Sequence, residues 1–207
     1  MQEIVLKNIT KDYRSNEAYK TLRTNIEFSG ADNKVIVLTS CTPDESTVSL
    51  NLSISLAESG KRVLFIDADL RKSVLTGRHR VAEEVKGLSH FLSGQAEVDE
   101  VMYKTQEEGL IVMFAGVVPP NPSELLGQKR FEALISSARK VYDYIIIDAP
   151  PLGSVIDAAV IARVCDASVL VTAANAVSYK FARTVKEQLE KTGCPILGVV
   201  LNKVNMK

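Results

Sequence analysis

Three aspartates at the ends of apolar runs carry the chemistry this sequence offers. Two stand in Phe65-Ile66-Asp67-Ala68-Asp69-Leu70-Arg71, and a third opens Asp148-Ala149-Pro150-Pro151 after Tyr144-Ile145-Ile146-Ile147. A further apolar run ends in Thr39-Ser40-Cys41-Thr42-Pro43-Asp44-Glu45-Ser46-Thr47 and passes straight into a helical pattern. A strand that turns directly into a helix presents backbone N–H groups and a positive dipole end, the usual setting of a phosphate-binding loop. Mg²⁺ prefers a hydroxyl, water and one or two carboxylates beside phosphates, and Ser46, Asp67, Asp69 and Asp148 supply those groups. Taken singly, each aspartate is equally well explained as a helix cap or a turn residue. Taken together, at these loops, they point to a metal and phosphate site.

The elements that must position these residues are short apolar runs at Lys34 to Thr39, Arg62 to Ile66, Leu110 to Phe114, Tyr144 to Ile147, Ser168 to Thr172 and Ile196 to Leu201. Each reads as a parallel strand buried on both faces. Helical patterns separate them, at Ser46 to Ser59, Gln128 to Val141, Ser154 to Val164 and Tyr179 to Lys191, with Gly60 and Gly193 where C-terminal caps belong. The alternation predicts an α/β fold, a doubly wound and mostly parallel sheet flanked by helices, whose ligands bind beyond the C-terminal ends of the strands. Residues 1–33 read as an N-terminal helical segment and residues 34–207 as the nucleotide core, one structural domain in all. Ala115 to Gly127, with Pro119, Pro120 and Pro122, reads as a stiff loop.

Composition narrows the class. In 207 residues, 25 basic side chains balance 25 acidic ones, so no global field calls for nucleic acid, and none is expected as a partner. Cys41, Cys165 and Cys194 are too widely spaced for a metal cluster and odd in number, which fits a reducing compartment. No window approaches the ~18 apolar residues of a membrane span, so a cytoplasmic location is expected, with any membrane attachment made through a partner.

With these residues in view, the chain resembles the bacterial tyrosine kinases of the capsule and exopolysaccharide type. The loop after the first strand, Ile66-Asp67-Ala68-Asp69-Leu70-Arg71 and Tyr142-Asp143-Tyr144-Ile145-Ile146-Ile147-Asp148 are similar to that family's Walker A, A′ and B motifs. Glu17 to Asn25 is similar to its oligomerisation helix and Pro119 to Leu126 to its Pro-Pro-Asn-Pro-Ser-Glu-Leu-Leu loop, so the likeness spans essentially the whole chain. The resemblance implies a P-loop NTPase fold related to the MinD/ParA-like group, ATP or ADP with Mg²⁺ as cofactors, and transfer of phosphate to tyrosines in the tail of a neighbouring subunit. It implies Asp67, Asp69 and Arg71 as the catalytic group, with Asp67 activating the tyrosine hydroxyl. Ser46, Asp67, Asp69 and Asp148 become the metal site, and Pro43, Asp44, Glu45, Ser46, Thr47 and Asn202 the nucleotide contacts. Further implications are a ring of subunits held through Glu17, Lys20 and Arg23, a transmembrane polysaccharide co-polymerase-type adaptor that activates the kinase at the inner face of the plasma membrane, and a cognate tyrosine phosphatase. Without the resemblance, Glu17 to Arg23 is an ordinary solvated helix face with i,i+3 pairs.

Two departures set this chain apart. The family's loop reads Ser-x-x-Pro-x-Glu-Gly-Lys-Ser-Thr, whereas here Pro43-Asp44-Glu45 runs directly into Ser46-Thr47, without the glycine and the lysine. That lysine neutralises terminal phosphates and the glycine lets N–H groups turn inward around them; losing both removes up to roughly 7 Å of chain. Impaired nucleotide binding is expected, and nothing in the spacing places Lys72 or Lys180 at the phosphates. The second departure is that no tyrosine cluster follows Asn205; Tyr13, Tyr19, Tyr103, Tyr142, Tyr144 and Tyr179 are scattered through patterned segments. These departures keep two other readings open, a catalytically inactive scaffold and a MinD/ParA-like positioning ATPase; the latter's additional lysine near Ser40 is absent. Asp157 reads as a helix residue outside the site, His79 and His90 as surface residues, and Cys41 as a partly exposed thiol within the loop.

Overall fold

The computed structural model describes residues 2–7, 12–43, 47–79, 81 and 85–204. In chain order the elements are β1 (Gln2–Glu3), α1 (Tyr13–Phe28), β2 (Val35–Ser40), α2 (Thr47–Glu58), β3 (Val63–Asp67), α3 (Leu75–Arg78), α4 (Leu88–Leu92), β4 (Tyr103–Lys104) and β5 (Leu110–Met113), followed by α5 (Pro122–Leu126), α6 (Lys129–Ala138), β6 (Tyr144–Asp148), α7 (Asp157–Ala162), β7 (Ala167–Ala173), α8 (Tyr179–Glu190) and β8 (Ile196–Asn202). The strands form a single eight-stranded sheet in the order β1-β4-β5-β3-β6-β2-β7-β8. All neighbours run parallel except β4 and β5.

The buried strands behave as their composition demands. Every residue of β2 and β3 is buried, and alternate side chains feed two different cores. Val35, Val37, Leu64, Ile66, Ile145 and Ile147 join Phe131 and Leu134 of α6, Ile161 of α7 and Leu189 of α8 on one face. Ile36, Leu38, Phe65 and Ile146 join Leu52 and Leu56 of α2 and Ile26 of α1 on the other. A strand flanked on both sides by helices needs apolar residues at every position, which is why these runs do not alternate with polar residues. Gly60 and Gly193 follow α2 and α8 with φ of +84° and +79°, the left-handed conformation that ends a helix and that side chains resist.

Several expectations are corrected. The segment from Ala115 to Gly127 is not loop throughout, because Pro122 opens the short helix α5; a proline at the first helical position gives up an N–H that would have no partner there. His79 is buried, its Nδ1 2.6 Å from the carbonyl of Lys7, and burial lowers its pKa. Cys41 is buried too. Both positions are covered by tertiary packing that local pattern does not report.

Candidate active site

Strands β2, β3 and β6 lie side by side, so the residues at their C-terminal ends share one sheet edge. Asp67 and Asp148 are partners in register, the last residues of β3 and β6. They line a cleft of about 270 Å³ with Ser40, Pro43, Ser49, Asp69, Arg71, Lys72, Ser73, Pro150 and Ser154. The expected loop residues Asp44, Glu45 and Ser46 lie outside the described residues, and Thr47 is described only as the start of α2.

The two carboxylates are costly to charge. Burial raises Asp67 from the ordinary 3.8 to about 7; the Ser73 hydroxyl, which donates a short hydrogen bond to Asp67 Oδ2, opposes the rise, and neighbouring Asp69 adds to it. Burial also pushes Asp148 well above the usual carboxylate range, with Asp67 adding to the rise. Ser49, in the first turn of α2, donates to Asp148 Oδ1 at 2.7 Å and partly offsets this. Two desolvated like charges on neighbouring strands are tolerated by sharing protons or by holding a cation between them. Hard oxygen donors of this kind suit Mg²⁺.

Asp69 organises the loop that follows β3. Its Oδ1 accepts the N–H groups of Arg71 at 3.1 Å and Lys72 at 3.0 Å, and its own N–H donates to Asp67 Oδ1 at 3.2 Å. Arg71, grouped above with the catalytic aspartates, lines the cleft, but its guanidinium is engaged elsewhere. Nε and one terminal nitrogen donate to the two oxygens of Asp157 at 2.7 and 2.9 Å, and the same terminal nitrogen donates to Ser123 Oγ at 3.0 Å. Ser123 in turn donates to Asp157 Oδ1 at 2.5 Å. Asp157 is 0% exposed. Burial works against its charge, yet the hydrogen bonds from Arg71 and Ser123 outweigh that and hold its carboxyl below the usual range. In sequence Asp157 resembles an aspartate that follows the family's Walker B segment, yet it reads equally well as a helix cap and so falls outside the expected site; its link to Arg71 spans 86 positions.

Other candidates are dispersed. Asn202 ends β8 and lines a different cleft, with Tyr19 and Leu22 of α1 and Val48 of α2. Lys180 is exposed in the first turn of α8 and does not line the carboxylate cleft, whereas Lys72 does, which the spacing did not foretell. On α1, Lys20 Nζ donates to Glu17 at 2.8 Å, an exposed i,i+3 pair. Arg23, expected on the same ring surface, is turned inward and donates to the carbonyl of Ser55 on α2 at 2.7 Å.

The loop after β6 is fitted closely to β2. Thr39 Oγ1 donates to the Pro150 carbonyl at 2.8 Å and accepts the N–H of Leu152 at 3.1 Å, both buried. A Cβ on Gly153 would stand 2.4 Å from the carbonyl of Cys41, so only glycine allows that approach.

Comparison with known proteins places this architecture. A family model described as an AAA domain matches residues 44–192. The tyrosine-protein kinase CpsD of Streptococcus pneumoniae is 44% identical over 206 residues, covering 99% of this chain and 91% of that protein. Among solved structures, the chimerical protein CapA2B2 superposes with a TM-score of 0.89 at 29% identity, over 100% of this chain and 95% of that one. The septum site-determining protein MinD of Pyrococcus horikoshii, complexed with Mg-ADP, superposes with a TM-score of 0.70 at 28% identity, over 83% of this chain and 71% of that one. With nearly its whole length matched to tyrosine-protein kinases and its carboxylates gathered at the C-terminal edge of a P-loop sheet, the chain belongs to the bacterial tyrosine-kinase family.

Proposed function

We propose that this chain is an ATP:protein-tyrosine phosphotransferase domain whose substrate is a tyrosine-bearing segment of a neighbouring subunit and whose output controls capsule or exopolysaccharide export. The observation that carries the reading is the buried Asp67–Asp148 pair at the edge of a cleft that Asp69 also lines. Asp67, Asp69 and Asp148 hold Mg²⁺, with Ser46 as the hydroxyl donor; bound there, the ion supplies charge neutralisation at the phosphates. Asp67 takes the proton from the attacking tyrosine hydroxyl. Arg71 acts through Asp157 and Ser123, steadying the loop that carries Asp69. Pro43, Asp44, Glu45 and Thr47 border the nucleotide, and Asn202, which lines the separate cleft beside α1, is assigned to the base. Glu17 and Lys20 offer an exposed charged face for ring contacts, and a membrane adaptor provides localisation; among the described residues no helix is long and apolar enough to cross a membrane.

One observation favours a second reading, a scaffold that keeps the subunit and adaptor contacts without chemistry: Glu45 is followed directly by Ser46, where the family has Gly-Lys. The deciding experiment restores Gly-Lys between those residues and follows phosphotyrosine formation by mass spectrometry with Mg-ATP and a tyrosine-rich peptide, beside the unaltered chain. Kinase activity in the restored protein, abolished by Asp67→Asn, supports a kinase site weakened by its loop. A folded, restored protein that forms no phosphotyrosine leaves the scaffold reading in place.

A further inference from the structure

This inference rests on reading the carboxylate cleft as a nucleotide site. A nucleotide brings several negative charges to a cleft already lined by Asp67, Asp69 and Asp148. One divalent ion offsets only part of that charge, so a side-chain cation must face the phosphates. Among the described residues lining the cleft, two are cationic, Arg71 and Lys72. Asp69 fixes the backbone of both, and their side chains then part. The Arg71 guanidinium is engaged by Asp157 and Ser123, whereas Lys72 is solvent-exposed and pairs with no carboxylate among the described residues. Arg78, on α3, favours the charged form of Asp148 but does not line the cleft.

We infer that Lys72 is the side-chain cation that holds the terminal phosphates of the nucleotide in this chain, standing in for the lysine its shortened loop lacks. Lys72 lies five positions beyond Asp67, in the loop that leaves the end of β3, and lines the same cleft. A lysine there needs no fixed fork geometry: its ammonium is a point charge on a flexible four-carbon stem and follows the phosphates into the cleft. Retention of Lys72 therefore leaves the shortened loop with weak nucleotide binding rather than none.

The test is calorimetric titration with Mg-ADP of the full chain, of Lys72→Ala, Lys72→Arg and Arg78→Ala, and of the chain with Gly-Lys inserted after Glu45, each first shown folded by circular dichroism. The inference expects measurable binding by the unaltered chain, at least tenfold weaker binding by Lys72→Ala, and recovery to within about threefold by Lys72→Arg, with the same melting temperature for all three without nucleotide. Equal binding by Lys72→Ala and the unaltered chain overturns it, as does loss confined to Arg78→Ala. If only the insertion version binds, Lys72 does not substitute, yet the site reading stands. If the insertion version fails as well, both readings fall.

Discussion

Asp67 and Asp148 are register partners on neighbouring parallel strands, so two buried carboxylates leave the same face of the sheet side by side. Without a cation the pair opposes folding. A carboxyl raised in the folded state binds its proton more tightly there than in the unfolded chain, so stability falls as pH climbs from the unfolded value through the folded one. For Asp67 that window runs from 3.8 to about 7.

The first prediction follows from that sign. Replacing Asp67 with asparagine removes the ionisation penalty, which at ~1.4 kcal/mol per unit of pKa is on the order of 4 kcal/mol at pH 8 and well under half of that at pH 5. Melting in EDTA is expected to show Asp67→Asn gaining about 5 °C more over the unaltered chain at pH 8 than at pH 5. A gain independent of pH would mean that Asp67 is ionised at its ordinary value.

Metal alone gives a second test. Mg²⁺ that binds the folded state and not the unfolded chain raises the melting temperature in proportion to the logarithm of its concentration. At pH 8, millimolar Mg²⁺ is expected to stabilise the unaltered chain and to leave Asp148→Asn nearly unmoved. Equal stabilisation of both would place the ion elsewhere.

Arg71 and Asp157 supply a third. Truncating Arg71 strands a fully buried carboxylate, and because the arginine is 40% exposed the loss should fall near the lower end of the range for broken buried pairs, about 2–4 kcal/mol. Lysine at position 71 loses the paired hydrogen bonds and recovers only part of this. The lowered pKa of Asp157 adds a sign: its contribution is present above the unfolded value and disappears as pH falls through the folded one. Chemical denaturation at pH 7 and pH 3 measures both, and a ΔΔG for Arg71→Ala unchanged between them would contradict the pairing.

What the sequence discloses and what it hides divide along physical lines. Strands β2, β3 and β6 are legible because burial on both faces forces apolar runs, and the aspartates that end β3 and β6 are then placed by topology alone. The partners of those aspartates are not legible. Ser49 reaches Asp148 across 99 positions and Asp157 reaches Arg71 across 86, distances at which spacing carries no information. The helix α5 is hidden because Pro122, after Pro119 and Pro120, makes the segment read as a stiff loop. That Lys72 lines the cleft is hidden too, because nothing in the sequence reports that Asp69 holds the N–H groups of Arg71 and Lys72.

Thr39 gives a fourth prediction, because a single hydroxyl satisfies two buried backbone groups of the loop after β6. Valine is nearly the same shape but leaves the Leu152 N–H and the Pro150 carbonyl without that partner, which costs about 1–3 kcal/mol and loosens the loop lining the cleft. Hydrogen exchange at Leu152 is expected to accelerate in Thr39→Val well beyond the change at strand amides of β7. Uniform acceleration across both would indicate global destabilisation without a local latch.

The last prediction separates two roles within one helix. Arg23 donates to the Ser55 carbonyl and so ties α1 to α2, while Glu17 and Lys20 form an exposed pair that contributes little to stability. Arg23→Ala is therefore expected to lower the melting temperature of the monomer by a few degrees, the effect of losing about 1–2 kcal/mol of charged hydrogen bonding. Glu17→Ala and Lys20→Ala should leave it unchanged within error. Light scattering at high concentration then reads assembly: if the ring depends on this helix face, Glu17→Ala and Lys20→Ala weaken association without touching stability, and only Arg23→Ala alters both. Loss of association in Arg23→Ala alone would show that α1 serves the ring through its packing on α2 and not through its exposed charges.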